Sequence, residues 1–512
     1  MSVNIQQSLG TRFGEYVMFW FALPFLLTIL TLLAYLDTRK PKNFPPGPKW
    51  YPLIGCTLEV IRTRKKFEGL YEATAQMCLK YGPVLGLKIG REPVVIMYGP
   101  AEIKEMSMSE DLLGRPLGSY FNMRTWNKRL GIILTDREFW QEQKKFVLRH
   151  LKEFGYGTGN MSELIQEETF HLLNSIEKSM GEKDFTIFNM ESLFSVSVLN
   201  SLWLMLAGVR YSPEQSEMKK LQRIMSDLFK VIHMIGAPFS YFPILKYVAP
   251  ELSGYKAYVE THCLIWDFLK KELEQHKKTH DPENPRDLMD LYLNVLYSPD
   301  HGESFSEEQL LAICLDMFMA GSETTNNSTS FGFLYLILNP EVQKKTQEEI
   351  DSVLGGRAPR LSDRPNMPYT EAVVMEALRM FGLRAFSVPH RALRDTYVGG
   401  YFIPKDTLVV ANYHGSMMGP NCGFTDPEKF DPERYIVDRK VTIPEHFIPF
   451  GIGKRRCMGD SLAKANIFMF ITAILQKYDV KVVPESPPDM RVVDGVTPAP
   501  VHYKAKFIRR QL

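Results

Sequence analysis

The sequence predicts a mainly α-helical fold with small β-sheets (α+β), built as one large body behind an N-terminal anchor. Three observations lead there. Residues 101 to about 389 read as mostly helical. β-rich stretches are confined to two places, "PVLGLKIGREPVVIMYG" at 83–99 and "TYVGGYFIPKDTLVVANYHG" at 396–415. No repeat, low-complexity tract or linker interrupts residues 51–512, so these are expected to form a single unit, after an anchor segment at 1–36 and a hinge at 37–50.

Composition bounds the function. A chain of 512 residues, 45% hydrophobic and 23% charged, is globular rather than disordered. A net charge of +2 gives no reason to expect a nucleic-acid partner. Six cysteines stand at irregular spacing with no CxxC pair, so neither a zinc site nor a disulfide framework is indicated. A reducing compartment follows.

The elements come in this order. Tyr16 to Leu36 is a charge-free apolar run, and about 20 such residues cross a bilayer. Pro24 within it is tolerable in a membrane helix. A cleaved signal peptide is the alternative, but the run is long for one and no small-x-small site follows. Arg39, Lys40 and Lys42 outweigh Arg12 and Glu15, which puts the body in the cytosol and leaves the sequons at Asn160, Asn326 and Asn327 unmodified. Pro45, Pro46 and Pro48 then make a stiff hinge. Residues 83–99 read as a hairpin turning at Gly90 to Pro93. Ser306 to Gln309 is a capping box before an apolar run that stops at Asn339-Pro340. About 32 residues at ~1.5 Å each give a rod of ~48 Å, long enough to cross a whole domain.

The chemistry concentrates in "FGIGKRRCMG", Phe450 to Gly459. Cys457 follows Lys454, Arg455 and Arg456, and nearby cations lower a thiol pKa. A helix starting at Met458 would add its positive end. Gly451, Gly453 and Gly459 could turn backbone N–H groups toward the sulfur. Alone, the stretch also reads as a surface turn with a stray cysteine.

Phe450-x-x-Gly453-x-Arg455-x-Cys457-x-Gly459 resembles the haem-binding signature of the cytochrome P450 family at every fixed position. Glu376-x-x-Arg379, Pro432-Glu433-Arg434-Tyr435 (Tyr where the family has Phe) and Ala320-Gly321-Ser322-Glu323-Thr324-Thr325 resemble three further motifs of that family, in order. The anchor and proline hinge are similar to its microsomal members. "LAICLDMFMAGSETTNNS" and "PFGIGKRRCMGDSLAKANIF" resemble an insect group that includes the methyl farnesoate epoxidases of juvenile hormone synthesis.

The resemblance implies a P450 fold around haem b, with Cys457 as the axial thiolate ligand of the iron. It puts Arg455, Trp140, His390 and Lys144 at the haem propionates. Lys144 stands where the family usually has Arg, and so lacks the bidentate fork. Glu376 and Arg379 share a helix face. Their helix is otherwise apolar, so they are expected to be buried, with Arg434 as third member; a solvated surface pair is the bland alternative. Glu323 and Thr324 would relay protons, and Thr324 would bond back to the carbonyl of Ala320 and locally open the helix. The alternative is a polar helix–helix contact. Substrate would lie against Leu113 to Ile133, Met234 to Phe242, Phe318 and Ala320, Ala385 to Val388, and Val496-Thr497.

The implied activity is a membrane-bound, haem-thiolate monooxygenase acting on a small lipophilic substrate at the cytosolic face of the endoplasmic reticulum. Its electrons would come from NADPH through NADPH-cytochrome P450 reductase, with cytochrome b5 as an accessory donor. Methyl farnesoate epoxidation is one expectation, and hydroxylation of other lipids, hormones or xenobiotics another. Lys144, Lys145, Arg149, Lys454 and Arg456 form either a docking face for the reductase or a generic basic surface. A haem-thiolate isomerase would need no reductase, and such enzymes tend to lack the acid–threonine pair. A non-catalytic haem sensor or lipid carrier would yield no product.

The topology is testable. Protease added to sealed microsomes should digest the body, and the mature chain should keep Met1 or Ser2 and carry no N-glycan. Protection from protease, or a glycosidase-sensitive shift, would place the body in the lumen.

Overall fold

The computed structural model describes residues 24–157, 159–212 and 215–511. Its organising element is the central helix Glu307–Leu338, 32 residues long. Ser306 caps it, accepting from the Gln309 N–H at 3.1 Å. The other arm of the capping box does not form. Gln309 Oε1 instead accepts from the Gly131 N–H at 2.7 Å, and its Nε2 reaches the Gly131 carbonyl and Gln143 Oε1, both at 3.3 Å. A buried amide needs partners on both ends, and here they tie the helix start to the segment before it. The helices Ser195–Ala207, Tyr255–Thr279, Pro368–Gly382 and Asp460–Lys477 pack along the central rod.

The two β-rich stretches meet in one four-stranded sheet. Val84–Ile89 runs antiparallel to Glu92–Met97, which lies parallel to Leu408–Ala411, and His390–Arg391 forms the far edge. Parallel pairing demands a long crossover, and most of the helical body supplies it. One strand departs from the expected helical stretch: Phe185–Asn189 pairs with Lys504–Arg509, which also pairs with Tyr478–Val482. Five alternating residues become a strand there because the C-terminal partner lies alongside. The core has two clusters. The larger surrounds the central helix, and the smaller fills the space between the sheet and the helices Thr57–Phe67 and Leu70–Tyr81.

Part of the expected anchor, residues 16–23, lies outside the described residues. Residues 24–37 form a helix whose apolar side chains are largely exposed. Among the described residues no helix is long and apolar enough to cross a membrane. Asp37 ties that helix to the sheet: Lys88 Nζ donates to its carboxylate and to its carbonyl, both at 2.6 Å.

Glu376 and Arg379 are both fully buried. Arg379 Nε and Nη2 donate to the two Glu376 oxygens at 2.8 and 2.7 Å. Arg434 Nε adds 3.2 Å, the Asp431 N–H 3.0 Å and the Tyr435 hydroxyl 3.1 Å. Tyr435, which replaces the family's Phe, thus supplies a fifth donor to one carboxylate. Burial alone would depress the Arg379 pKa, but its bonds to Glu376 outweigh that and hold it above the ordinary value. Arg379 also donates to the carbonyls of Met417 (3.1 Å) and Lys429 (3.2 Å), so one helix holds the chain that leads to Cys457.

Removing one partner of a buried pair costs ~3–5 kcal/mol. Glu376→Ala should therefore yield protein with little bound haem, whereas Tyr435→Phe should lose about 1.5–3 kcal/mol in denaturant titration. Full haem content in Glu376→Ala would remove the pair from the fold's supports.

Candidate active site

A cavity of about 340 Å³ lies between the central helix and the Cys457 loop. The sulfur is open to this cavity and otherwise enclosed by protein. The Gly459 N–H reaches Sγ at 3.3 Å, and the Cys457 N–H is tied to the Phe450 carbonyl at 3.0 Å. The Gly451 N–H is used elsewhere, by the Ile448 carbonyl. Gly453 serves close approach: its φ is +75°, and an added Cβ would sit 2.2 Å from the Ser107 carbonyl oxygen.

The expectation that three cations and a helix start make Cys457 an anion needs correction. Lys454 pairs with Glu110, Arg456 with Asp460, and Arg455 turns to the Leu113 and Thr135 carbonyls. The following helix begins at Asp460, not Met458. Burial pushes the thiol up, Gly459 and Arg456 only partly oppose it, and Asp460 adds to it. A bound metal deprotonates a coordinating thiol outright, so the anion depends on the metal more than on the loop.

The cations gather at the cavity edge instead. Arg455 lies 3.6 Å over the Trp140 ring, with Lys144 at 4.9 Å from the same ring. Burial and the neighbouring Arg115 push Arg455 down to about 8. Burial pushes Arg115 down to about 10, and burial with Arg455 and Arg115 depresses Lys144. Lys144 Nζ donates to the Lys454 carbonyl at 2.7 Å rather than standing free. His390 gives its Nδ1 proton to the Leu112 carbonyl at 2.6 Å, which leaves Nε2 an acceptor in the neutral ring. Burial and Arg115 hold His390 well below its ordinary value. Asp136 offsets only part of this charge, accepting from the Arg115 N–H at 2.9 Å and from Arg129 and Arg391 at 3.0 Å.

Crowded, buried cations are costly until an anion joins them. Arg115 Nε is buried without a partner. A thiol in one wall, a cationic rim and an apolar remainder suit a flat apolar group with two carboxylates and a thiolate-binding metal. Haem has that chemistry, and the residues present fit it. Arg115 was not among the residues read from sequence. Its signal was slight, a lone Arg between Gly114 and Pro116.

Thr324 lines the cavity and its hydroxyl donates to the Ala320 carbonyl at 2.7 Å. The expected local opening is absent, since the α-helix runs unbroken through these residues. A carbonyl has two lone pairs, so it accepts the hydroxyl and keeps its helical bond. Glu323 is not in the cavity wall. It faces Ser226 and Asn327 on the other side of the helix, and burial pushes it up to about 7.

The expected substrate segments contribute unequally. Ile132 and Ile133, Met234, Ala320, Ala385 to Val388, and Val496-Thr497 line the cavity. Phe318 does not; it is fully buried against Trp203, ring to ring at 5.9 Å. Asp316, missed from sequence, fixes the roof: its Oδ2 accepts from the Ile132 and Ile133 N–H groups at 2.6 and 2.9 Å, and Arg124 pairs with it. A lone acid in an otherwise apolar helical run was the available clue. Of the five basic surface residues, Lys454, Arg456 and Arg149 have carboxylate partners.

Comparison with known proteins gives a consistent result. The family described as Cytochrome P450 matches residues 45–507. "Probable cytochrome P450 303a1" of Drosophila melanogaster is 44% identical, over 97% of this chain and 99% of its own. "Farnesoate epoxidase" of Bombyx mori is 34% identical over 96% and 99%. "Cytochrome P450 2J3" of Rattus norvegicus is 32% identical over 94% and 95%.

Two variants check the site. Cys457→Ser should abolish the thiolate-type red shift of the ferrous–carbon monoxide spectrum; a normal spectrum would overturn the ligand. Arg115→Ala should speed haem transfer to apomyoglobin about tenfold or more, as expected for losing a charge-assisted contact of ~1.5–3 kcal/mol. An unchanged rate would take Arg115 off the haem.

Proposed function

Because the chain belongs to the cytochrome P450 family, we propose that it inserts one oxygen atom from dioxygen into a lipophilic substrate, and that methyl farnesoate, converted to its epoxide, is that substrate. One observation carries the reading: the thiol of Cys457, the cationic rim and the Thr324 hydroxyl line one apolar cavity. The relative named farnesoate epoxidase and the insect-like stretches around residues 311–328 and 449–468 support the choice of substrate.

Bound haem supplies dioxygen activation and oxygen-atom transfer. The chain's residues do the rest. Cys457 would ligate the iron. Arg455, Arg115, Lys144, His390 and Trp140 would hold the propionates, and the incoming carboxylates would make a protonated His390 favourable. Ile132, Ile133, Leu202, Met234 and Val496 hold an apolar chain and keep bulk water out. Thr324 steadies a water beside the reacting atoms and passes on its proton. Glu323, pushed up to about 7 by burial, can both give and take a proton, which suits a relay. Glu376, Arg379 and Arg434 support the haem side without touching the reaction.

The chain is further proposed to divide into an anchor at 1–36, a hinge at 37–50 and a haem domain at 51–512, with its body on the cytosolic face of the endoplasmic reticulum. NADPH-cytochrome P450 reductase, and cytochrome b5 beside it, would deliver electrons near Lys145 and the paired surface cations.

Thr324→Ala tests the relay. It should still bind haem and oxidise NADPH, but release hydrogen peroxide and form about tenfold less epoxide per NADPH. Unchanged product per NADPH would remove Thr324 from the mechanism. No turnover of methyl farnesoate by the unmodified enzyme would retire that substrate.

A further inference from the structure

The short strands Val492–Val493 and Ala499–Pro500 pair antiparallel, and residues 494–498 form the tip that joins them. Val496, Thr497 and Pro498 of this tip line the cavity, and Met234 lines it from another segment. The tip is fastened to three other parts of the fold. Asp494 Oδ2 accepts from the Leu70 N–H at 2.9 Å and from Arg64 Nε at 3.0 Å. The Val496 N–H donates to the Phe229 carbonyl at 2.8 Å. Gly495 permits that approach, since an added Cβ would sit 2.1 Å from the same carbonyl oxygen. Asn327 Nδ2 on the central helix donates to the Pro498 carbonyl at 3.2 Å.

Of these ties only the one through Asp494 carries charge. Leu70 opens the helix Leu70–Tyr81, and Gly69 before it offers no side-chain cap. A carboxylate at that point takes an otherwise unpaired N–H and meets the positive end of the helix. Asp494 thus caps a helix 424 residues away along the chain. Arg64 is more exposed than Asp494, so the Leu70 N–H is the firmer of its two contacts. His233, beside Met234, has its Nδ1 buried without a hydrogen-bond partner, 3.9 Å from the same carboxylate oxygen. Burial pushes this histidine down to about 4, so the neutral ring leaves the carboxylate to Leu70 and Arg64.

We propose that Asp494 is a positioning residue for the cavity: by fastening the hairpin tip to the helix Leu70–Tyr81, it holds Val496 and Thr497 as a preformed wall against which a bulky apolar ligand binds. The role rests on the monooxygenase reading for its purpose, since a substrate held against a fixed wall presents one part of itself to the oxidant. Asp494 touches no ligand itself and acts through Val496. Without its carboxylate the tip keeps two neutral ties and loses the charged one. A bulky ligand then has to order the wall as it binds, and that ordering weakens it. A small ligand that does not reach the wall is unaffected.

The test is a spectral titration of the ferric holoenzyme with imidazole and with 1-benzylimidazole, without NADPH. Asp494→Ala should weaken 1-benzylimidazole about tenfold and leave imidazole within about twofold, as expected for loss of charge-assisted hydrogen bonds. Asp494→Asn, which keeps an acceptor for the Leu70 N–H, should weaken it only about threefold, and it serves alone if Asp494→Ala does not fold. A merely structural role would lower thermal stability and shift both azoles alike. Val496→Ala completes a double-mutant cycle: if Asp494 acts through Val496, the double variant binds 1-benzylimidazole no more weakly than the weaker single variant. An unchanged ratio of the two azole affinities in the folded variants, or additive effects in the cycle, overturns the role. A changed ratio in an enzyme that forms no oxygenated product supports the role and counts against the monooxygenase reading instead.

Discussion

One buried carboxylate, Glu376, holds the haem side of this molecule together. Its oxygens collect Arg379, Arg434, Tyr435 and the Asp431 N–H, so that every lone pair it offers is taken up inside the protein. Through Arg379 that network extends to the Met417 and Lys429 carbonyls. At the end of the same helix, Gly382 admits Pro449, whose atoms would lie 3.0 Å from an added Cβ. Pro449 precedes Phe450, and the Phe450 carbonyl takes the Cys457 N–H. The position of the sulfur is therefore set by Glu376 and Arg379, which lie outside the cavity wall, from a helix whose Leu378 and Phe381 line it.

The cavity edge is built on the opposite principle. Arg115, Arg455, Lys144 and His390 are brought together with too little negative charge: burial makes all four harder to protonate, Arg115 adds to this at the other three, and Arg455 at Lys144 and His390. Such a rim is unfavourable by itself and favourable with a dianion. Binding of haem thus contributes to folding, because the group satisfies a charge deficit that the chain cannot satisfy internally. The thiol follows the same logic: burial opposes its ionisation, and the metal reverses that.

The central helix separates two environments. Its inner face sets Thr324, Thr325 and Ser328 beside Met317, Ala320 and Gly321, and Asp316 is spent on the roof of the cavity. Its outer face carries Glu323 among hydroxyl, amide and charged groups. Two adjacent residues on a helix point about 100° apart, so a pair that looks like one motif in the sequence divides between the cavity and a buried polar environment behind the helix.

The helical class, the capped central rod, the first hairpin and the cysteine loop were legible in the sequence because each rests on local signals: periodicity, a cap, a turn, a fixed spacing. Glu376 with Arg379 was legible as a buried pair because its helix is otherwise apolar. Arg115, Asp316, Asp494 and the strand Phe185–Asn189 were not, since each gains its meaning from a partner far along the chain. The charges of Lys454, Arg455 and Arg456 were visible, but not where they point, and direction reversed their expected effect on Cys457. The sequence determined which groups are present and which segments are helical. Tertiary packing alone decided which charges meet, which face water and which await a ligand, because electrostatic energy depends on distance and burial rather than on order along the chain.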